Sequence, residues 1–213
     1  MLNKENKMSE NGSILVLSGP SGAGKSSLIK KIEDKVGPYY FSISTTTRPM
    51  REGEVEGVHY HFVDKESFKQ DIEDEHFLEY ALVHGNYYGT SIKPVKQALK
   101  EGKIVIFDID VQGHDAVQNR LGDITTSVFV TTPSLKELKH RLSSRGTDTQ
   151  EVIEGRIEMA TREVQRITEY DYLVINDDLD VAAAALVKIA CVSRLKMPSM
   201  EISEFIHEWE ENS

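Results

Sequence analysis

The chain has 213 residues, a formal net charge of −10 and a single cysteine. That length suits one α/β domain with small insertions and a sizeable core. The acidic balance disfavours general attraction to nucleic acid or to an anionic membrane, so any phosphate must be held by local cationic clusters.

Met1 to Gly12 is polar and lacks the apolar h-region of a secretory signal, so residues 1–12 are expected to form a mobile extension. Cys191 cannot close an internal disulfide, which suits a reducing, cytoplasmic setting, and its place in an apolar helix predicts a core position. The longest apolar stretch, Val181 to Val192, is broken by Lys188 and is too short to span a bilayer.

Ile14 to Leu17 is a short apolar run suited to a buried strand. A glycine-rich turn follows, then a predicted helix over Ser26 to Lys35 with Leu28, Ile29 and Ile32 at helical spacing. From Tyr39 to Thr90 the chain is rich in Thr, Tyr, His and Gly, with alternation in Val58 to Phe62, which predicts a small, mostly antiparallel β insertion with a helix near Lys65 to Asp71. Further strands are predicted over Lys103 to Asp108, Thr126 to Val130 and Tyr172 to Ile175. Helices are predicted over Ser91 to Glu101, Val111 to Arg120, Ser134 to Ser144, Asp148 to Ile167 and Val181 to Lys196. Continuous apolar strands alternating with helices predict a parallel sheet covered on both faces. Ser199 to Ser213 is acidic, with Ile202, Phe205, Ile206 and Trp209 at helical spacing, and predicts a short helix packed on the body or on a partner.

The most specific motif is Gly19-Pro20-Ser21-Gly22-Ala23-Gly24-Lys25-Ser26, which fills every fixed position of the P-loop pattern between a strand and a helix. Glycines let backbone N–H groups converge on phosphates, and the helix N-terminus adds its positive dipole. Lys25 is expected to reach the β- and γ-phosphates of a nucleoside triphosphate, and the Ser26 hydroxyl to ligate Mg²⁺. A second signal is the apolar strand ending in Asp108 and Asp110. A carboxylate there is placed to hold Mg²⁺ or its waters, while Asp also caps helices well, and the spacing leaves both residues open to either role.

A cationic set follows: Arg141 and Arg145, four apart, and Arg156 on the next helix. Charge-dispersed phosphoryl transfer uses such arginines, and beside a P-loop that reading outweighs solvated pairing with Glu151, Glu154 and Glu158. In the insertion, Arg48 and Arg51 with Tyr60 and Tyr88 make a monophosphate clamp, alongside Ser44, Glu54, Glu79 and Thr90. A carboxylate among hydroxyls can accept the paired N1–H and N2–H donors of guanine, which adenine lacks on that edge. Thr and Tyr are also simply good strand formers. His59 and His61 alternate without a third ligand, which argues against a metal there.

Phe41-Ser42-Ile43-Ser44-Thr45-Thr46-Thr47-Arg48, then Arg51-Glu52-Gly53-Glu54, Gly57 and Tyr60, resembles the acceptor-site signature of guanylate kinases. Phe77-Leu78-Glu79-Tyr80, Gly85-Asn86-Tyr87-Tyr88-Gly89-Thr90, Asp108-Ile109-Asp110-Val111-Gln112-Gly113, Arg141 to Thr147 and Val174-Ile175-Asn176-Asp177-Asp178 continue it. The resemblance runs in order from about Ser13 to Lys196 and is greatest to the bacterial members, including Arg194-Leu195-Lys196-Met197.

It implies transfer from MgATP to GMP, on a P-loop NTPase-type parallel sheet with a small mixed or antiparallel β GMP-binding insertion and a helical lid. It implies that Glu79, Ser44 and Thr90 read guanine, and that Arg48, Arg51, Tyr60 and Tyr88, with Glu54, hold the GMP phosphate. Lys25, Arg48, Arg141, Arg145 and Arg156 would serve the transferring phosphoryl, Ser27 would join the ATP loop, and Asn176 would sit near the ATP base. Asp108 would belong to both the acceptor and metal sites, Asp110 to the metal site. The implied organisation is core 13–38, insertion 39–90, core 91–142, lid 143–158, core 159–198 and tail 199–213. One departure is Arg48-Pro49-Met50-Arg51, where the family has Arg-x-Pro-Arg; both arginines keep their spacing while the backbone restriction moves. The expected partners are ATP and GMP, without nucleic acid or membrane, in a monomer or a homo-oligomer. The competing readings are a P-loop kinase for AMP, dTMP or a sugar acid, and a non-catalytic guanylate-kinase-like binding module.

Overall fold

The computed structural model describes residues 12–83, 85–144, 149–196 and 202–211. The extension over residues 1–11, and Arg145 with the rest of 145–148, lie outside the described residues.

The central strand β1 (Ser13–Ser18) is buried at every position. It pairs in parallel with β7 (Ile104–Asp108) and with β8 (Thr125–Thr131). The sheet is completed by β2 (Tyr39–Phe41) beside β7 and β9 (Tyr172–Ile175) beside β8, giving the order β2-β7-β1-β8-β9. Because strand side chains alternate, β1 feeds two cores at once. Leu15 and Leu17 pack with Leu28 and Ile32 of helix α1 (Lys25–Ile32) and with Leu186 and Ala190 of α7 (Leu179–Ser193). Ile14 and Val16 pack on the other face with Val95 of α3 (Ile92–Lys100) and Val117 of α4 (Val111–Leu121). Burying both faces explains why these strands are continuously apolar rather than alternating.

The second sheet has the order β4-β3-β6-β5, from β3 (Thr45–Thr46), β4 (His61–Phe62), β5 (Phe77–Val83) and β6 (Asn86–Ser91). Its β5/β6 and β3/β6 pairings are antiparallel, and β3/β4 is parallel. Helix α2 (Lys65–Glu73) is capped by Asp64, which accepts from the Ser67 amide at 2.7 Å. It is anchored by Phe68, stacked between Phe77 (4.2 Å) and Tyr87 (5.2 Å). Helices α5 (Leu135–Ser144) and α6 (Gln150–Val164) share a small core of Leu138, Leu142, Ile153 and Ala160.

Two local expectations are corrected. Tyr39–Phe41 is an edge strand of the parallel sheet rather than the start of the insertion; three half-buried aromatic residues carry no apolar run to mark them. Cys191 is exposed, because α7 is apolar nearly all round and only the face with Ala183, Leu186 and Ala190 turns inward. Helix α8 (Ile202–Glu211) forms as expected, with Ile206 and Trp209 48% and 67% exposed. Among the described residues no helix is long and apolar enough to cross a membrane.

Candidate nucleotide site

The glycine-rich loop joins β1 to α1, and its shape depends on two glycines. At Gly19 (φ 132°) an added Cβ would lie 2.0 Å from the Val130 carbonyl oxygen. At Gly24 (φ 91°), the residue preceding α1, it would lie 2.4 Å from Asn176 Nδ2. Left-handed backbone and close approach exclude any side chain at both positions. Lys25 Nζ donates to the Gly19 carbonyl at 2.7 Å, folding the side chain back over the loop.

Two strands bring acids to this loop. β7 pairs with β1 in the register Leu17 to Asp108, which sets Asp108 beside the first turn of α1. The Ser26 hydroxyl donates to Asp108 Oδ2 at 3.3 Å, and Lys25 Nζ lies 3.7 Å from Oδ1. Asp110 has the other role left open by the sequence. Its Oδ1 accepts from the amides of Gln112 (3.0 Å) and Gly113 (2.8 Å), capping α4. Asp108 and the Ser26 hydroxyl are hard oxygen donors next to a phosphate loop, a set that fits Mg²⁺. Among the described residues no three His, Cys, Asp or Glu side chains converge to hold a metal by themselves.

The lid arginines divide. Arg156 on α6 donates to the Ser21 hydroxyl at 2.6 Å, which brings the guanidinium to the phosphate loop. Arg141 instead pairs with Glu137 one turn back at 2.7 Å, while its helix packs Leu138 and Leu142 under Gly22. Arg145 lies outside the described residues. Asn176, expected near the ATP base, is 4% exposed and donates its side-chain amide to the Ala23 carbonyl at 2.7 Å. It directly follows the last residue of β9, Ile175. Ser27, on the first turn of α1, is exposed.

A cavity of about 310 Å³ opens over the loop, lined by Ser21, Lys25, Asp108, Asp110, Arg156 and Glu163 among others. Glu163 was not singled out in the sequence. Its signal was available: it falls seven residues after Arg156, on the same face of one helix. Burial pushes its carboxyl up, against the pull of the Lys25 charge.

The acceptor residues gather on the second sheet. Glu79 and Thr90 are paired across β5 and β6, and the Thr90 hydroxyl donates to Glu79 Oε1 at 2.6 Å. Burial raises the Glu79 carboxyl, opposed by the Thr90 hydrogen bond and reinforced by the nearby charge of Asp110. Ser44 directly precedes β3, whose Thr45 pairs with Gly89 next to Thr90.

Arg48 makes a two-pronged contact with Glu54 at 2.7 and 3.0 Å, its guanidinium 5.4 Å from the Tyr60 ring centre. Tyr60 meets Tyr88 edge-on at 6.1 Å. Glu54 also accepts the Arg51 amide at 2.7 Å, and the Arg48 contact holds its carboxyl down at about 2. Glu54 therefore organises both arginine positions despite the shifted proline. The Arg51 side chain itself is exposed. His59 accepts the Val55 amide, and His61 contacts Glu56.

The guanylate kinase family profile matches residues 11–191. The chain is 68% identical over 200 residues to the guanylate kinase of Sulfurimonas denitrificans, covering 94% of this chain and 97% of that one. It is 53% identical over 199 residues to that of Helicobacter hepaticus, covering 93% and 98%. Among solved structures, the guanylate kinase of Anaplasma phagocytophilum superposes with a TM-score of 0.71 at 28% identity, covering 94% of this chain and 96% of that one.

Proposed function

The chain belongs to the guanylate kinase family and is an ATP:GMP phosphotransferase, and from that premise we propose how its residues share the transfer of the γ-phosphoryl group. The observation that carries the assignment is the convergence of Lys25, Arg156 and Asp108 on one cavity over the phosphate loop. The loop amides from Ser21 to Ser27 hold the donor phosphates, with Lys25 leaving the Gly19 carbonyl for the β- and γ-phosphates. Ser26 and Asp108 would hold the magnesium that accompanies ATP, which would neutralise charge on the donor phosphates. Asp110 acts through the backbone, fixing the turn that carries Asp108.

Glu79 and Thr90, with Ser44, read the guanine edge. Arg48, Arg51, Tyr60 and Tyr88 hold the GMP phosphate, for which the Arg48 fork exchanges Glu54 contacts. An oxygen of that phosphate attacks the γ-phosphorus in line, and the bond to the β-phosphate oxygen breaks as ADP leaves. The acceptor is already anionic at neutral pH, so positioning and charge stabilisation matter more than proton removal. Arg156, Arg141 and Arg145 stabilise the charge spread over the transferring group, the last two assigned from their motif and helix position. Closure of the lid excludes water and limits ATP hydrolysis. A cytoplasmic location is supported by the nucleotide substrates and by a lone cysteine that cannot close an internal disulfide.

The test is coupled ADP formation from MgATP with GMP, AMP, CMP, UMP and dTMP supplied separately. Turnover confined largely to GMP is expected. Equal turnover with AMP overturns the Glu79 and Thr90 assignment, and no turnover with any acceptor overturns the catalytic one.

A further inference from the structure

We propose that Glu163 makes the donor pocket select the magnesium complex of ATP over the uncomplexed triphosphate. The inference rests on the assignment of the phosphate-loop cavity as the donor site.

Helix α6 turns one stripe of side chains toward that cavity: Arg156, Met159 and Glu163, at positions i, i+3 and i+7. The stripe presents opposite charges at its two ends. Arg156 touches the loop through Ser21, whereas Glu163, 9% exposed, lines the same cavity with a carboxylate. A carboxylate facing a phosphate pocket repels an anionic ligand, and packing alone would be served as well by an uncharged residue. Lys25, whose charge acts on Glu163, already faces Asp108 at 3.7 Å.

A bare triphosphate entering this pocket brings its negative charge toward Glu163, Asp108 and Asp110 together, and Lys25 cannot offset all of them. With magnesium on the donor, positive charge stands between the phosphates and these carboxylates, and the repulsion becomes attraction. Discrimination of this kind arises from a built-in repulsive element as much as from new contacts. Glu163 contributes it from the lid helix, so the preference is tied to the helix that also delivers Arg156.

The experiment is equilibrium binding to the full chain in the absence of GMP, with ATP in excess EDTA and with ATP in excess magnesium. Wild type is expected to favour MgATP. In Glu163→Gln, which keeps the shape and removes the charge, the ratio of the two affinities is expected to fall about tenfold, chiefly because Mg-free ATP binds more tightly. Glu163→Asp keeps the charge and is expected to keep the preference. A ratio unchanged in Glu163→Gln, with both affinities lowered alike, would show a structural role and overturn the inference. Failure of wild type to bind MgATP at all would instead overturn the donor-site assignment beneath it. If Glu163→Gln does not fold, Glu163→Ala takes its place with the same expected fall in the ratio.

Discussion

The side-chain amide of Asn176, at the end of β9, donates a 2.7 Å hydrogen bond to the carbonyl of Ala23 in the middle of the phosphate loop. Both residues are buried, and the Asn176 Nδ2 is also what a Cβ on Gly24 would strike. The loop is therefore tied to the end of β9 through this side chain. Asn176→Ala leaves the Ala23 carbonyl buried without its donor, at a cost of about 1–3 kcal/mol. Thermal melts should show the loss of stability, and KM for ATP should rise with a smaller change for GMP. A variant with unchanged melting and ATP kinetics would refute the supporting role.

Glu79 and Thr90 face each other across two antiparallel strands, with 2.6 Å between hydroxyl and carboxylate. The hydroxyl fixes the carboxylate while leaving its second oxygen for a ligand. Glu79→Ala should raise KM for GMP about 10- to 100-fold, the loss expected when a buried donor pair on the base is left unmatched, and should narrow the gap between GMP and AMP. Thr90→Val should raise KM less, since the carboxylate remains and only its orientation is freed. Initial rates across the monophosphates check both. An unaltered GMP preference in Glu79→Ala would remove Glu79 from the base site.

Much of this arrangement could be read from residue types. The strand Ile14 to Leu17, the glycine loop and Lys25 formed one local pattern, and locality is what sequence spacing reports well. Asp108 and Asp110 could not be separated, because both follow the same strand and their roles are decided by pairing with β1 and by the cap of α4. The hydrogen bond from Asn176 to Ala23 is not legible in the sequence, because it joins residues 153 positions apart. Glu163 sat unnoticed within a charged helix, where most carboxylates are solvated; its burial arises from how α6 lies on the loop. Tyr39–Phe41 was drawn into the insertion because its strand identity comes wholly from the neighbouring β7.

Arg48 holds Glu54 with both prongs of its guanidinium and lies over the rings of Tyr60 and Phe62. Both contacts depend on a planar fork, which lysine lacks. Arg48→Lys should therefore keep the charge yet raise KM for GMP by about tenfold or more, the scale of a charge-assisted hydrogen bond. The Glu54 carboxyl, freed of its main partner, should titrate well above about 2 in the variant. Steady-state kinetics and carboxyl titration by NMR read the two effects. A lysine variant with wild-type GMP kinetics would show that charge alone suffices at this position.

His114 is 2% exposed, stacked on Tyr170 at 4.1 Å, and neither of its ring nitrogens has a hydrogen-bond partner among the described residues. Burial lowers its pKa from 6.5; Asp115 and Glu169 pull the other way, and Arg166 adds to the lowering. The neutral ring is thus preferred in the fold, while the unfolded chain takes up a proton near the ordinary value. Between the two, the unfolded state binds more protons, so stability is complete above about pH 6.5 and declines as pH falls below it. His114→Phe keeps an aromatic ring against Tyr170 and removes the titration. Melting temperatures of the two proteins from about pH 8 to about pH 5 should diverge only on the acid side, with wild type losing more. Curves that stay parallel through that range would show that His114 does not titrate on unfolding.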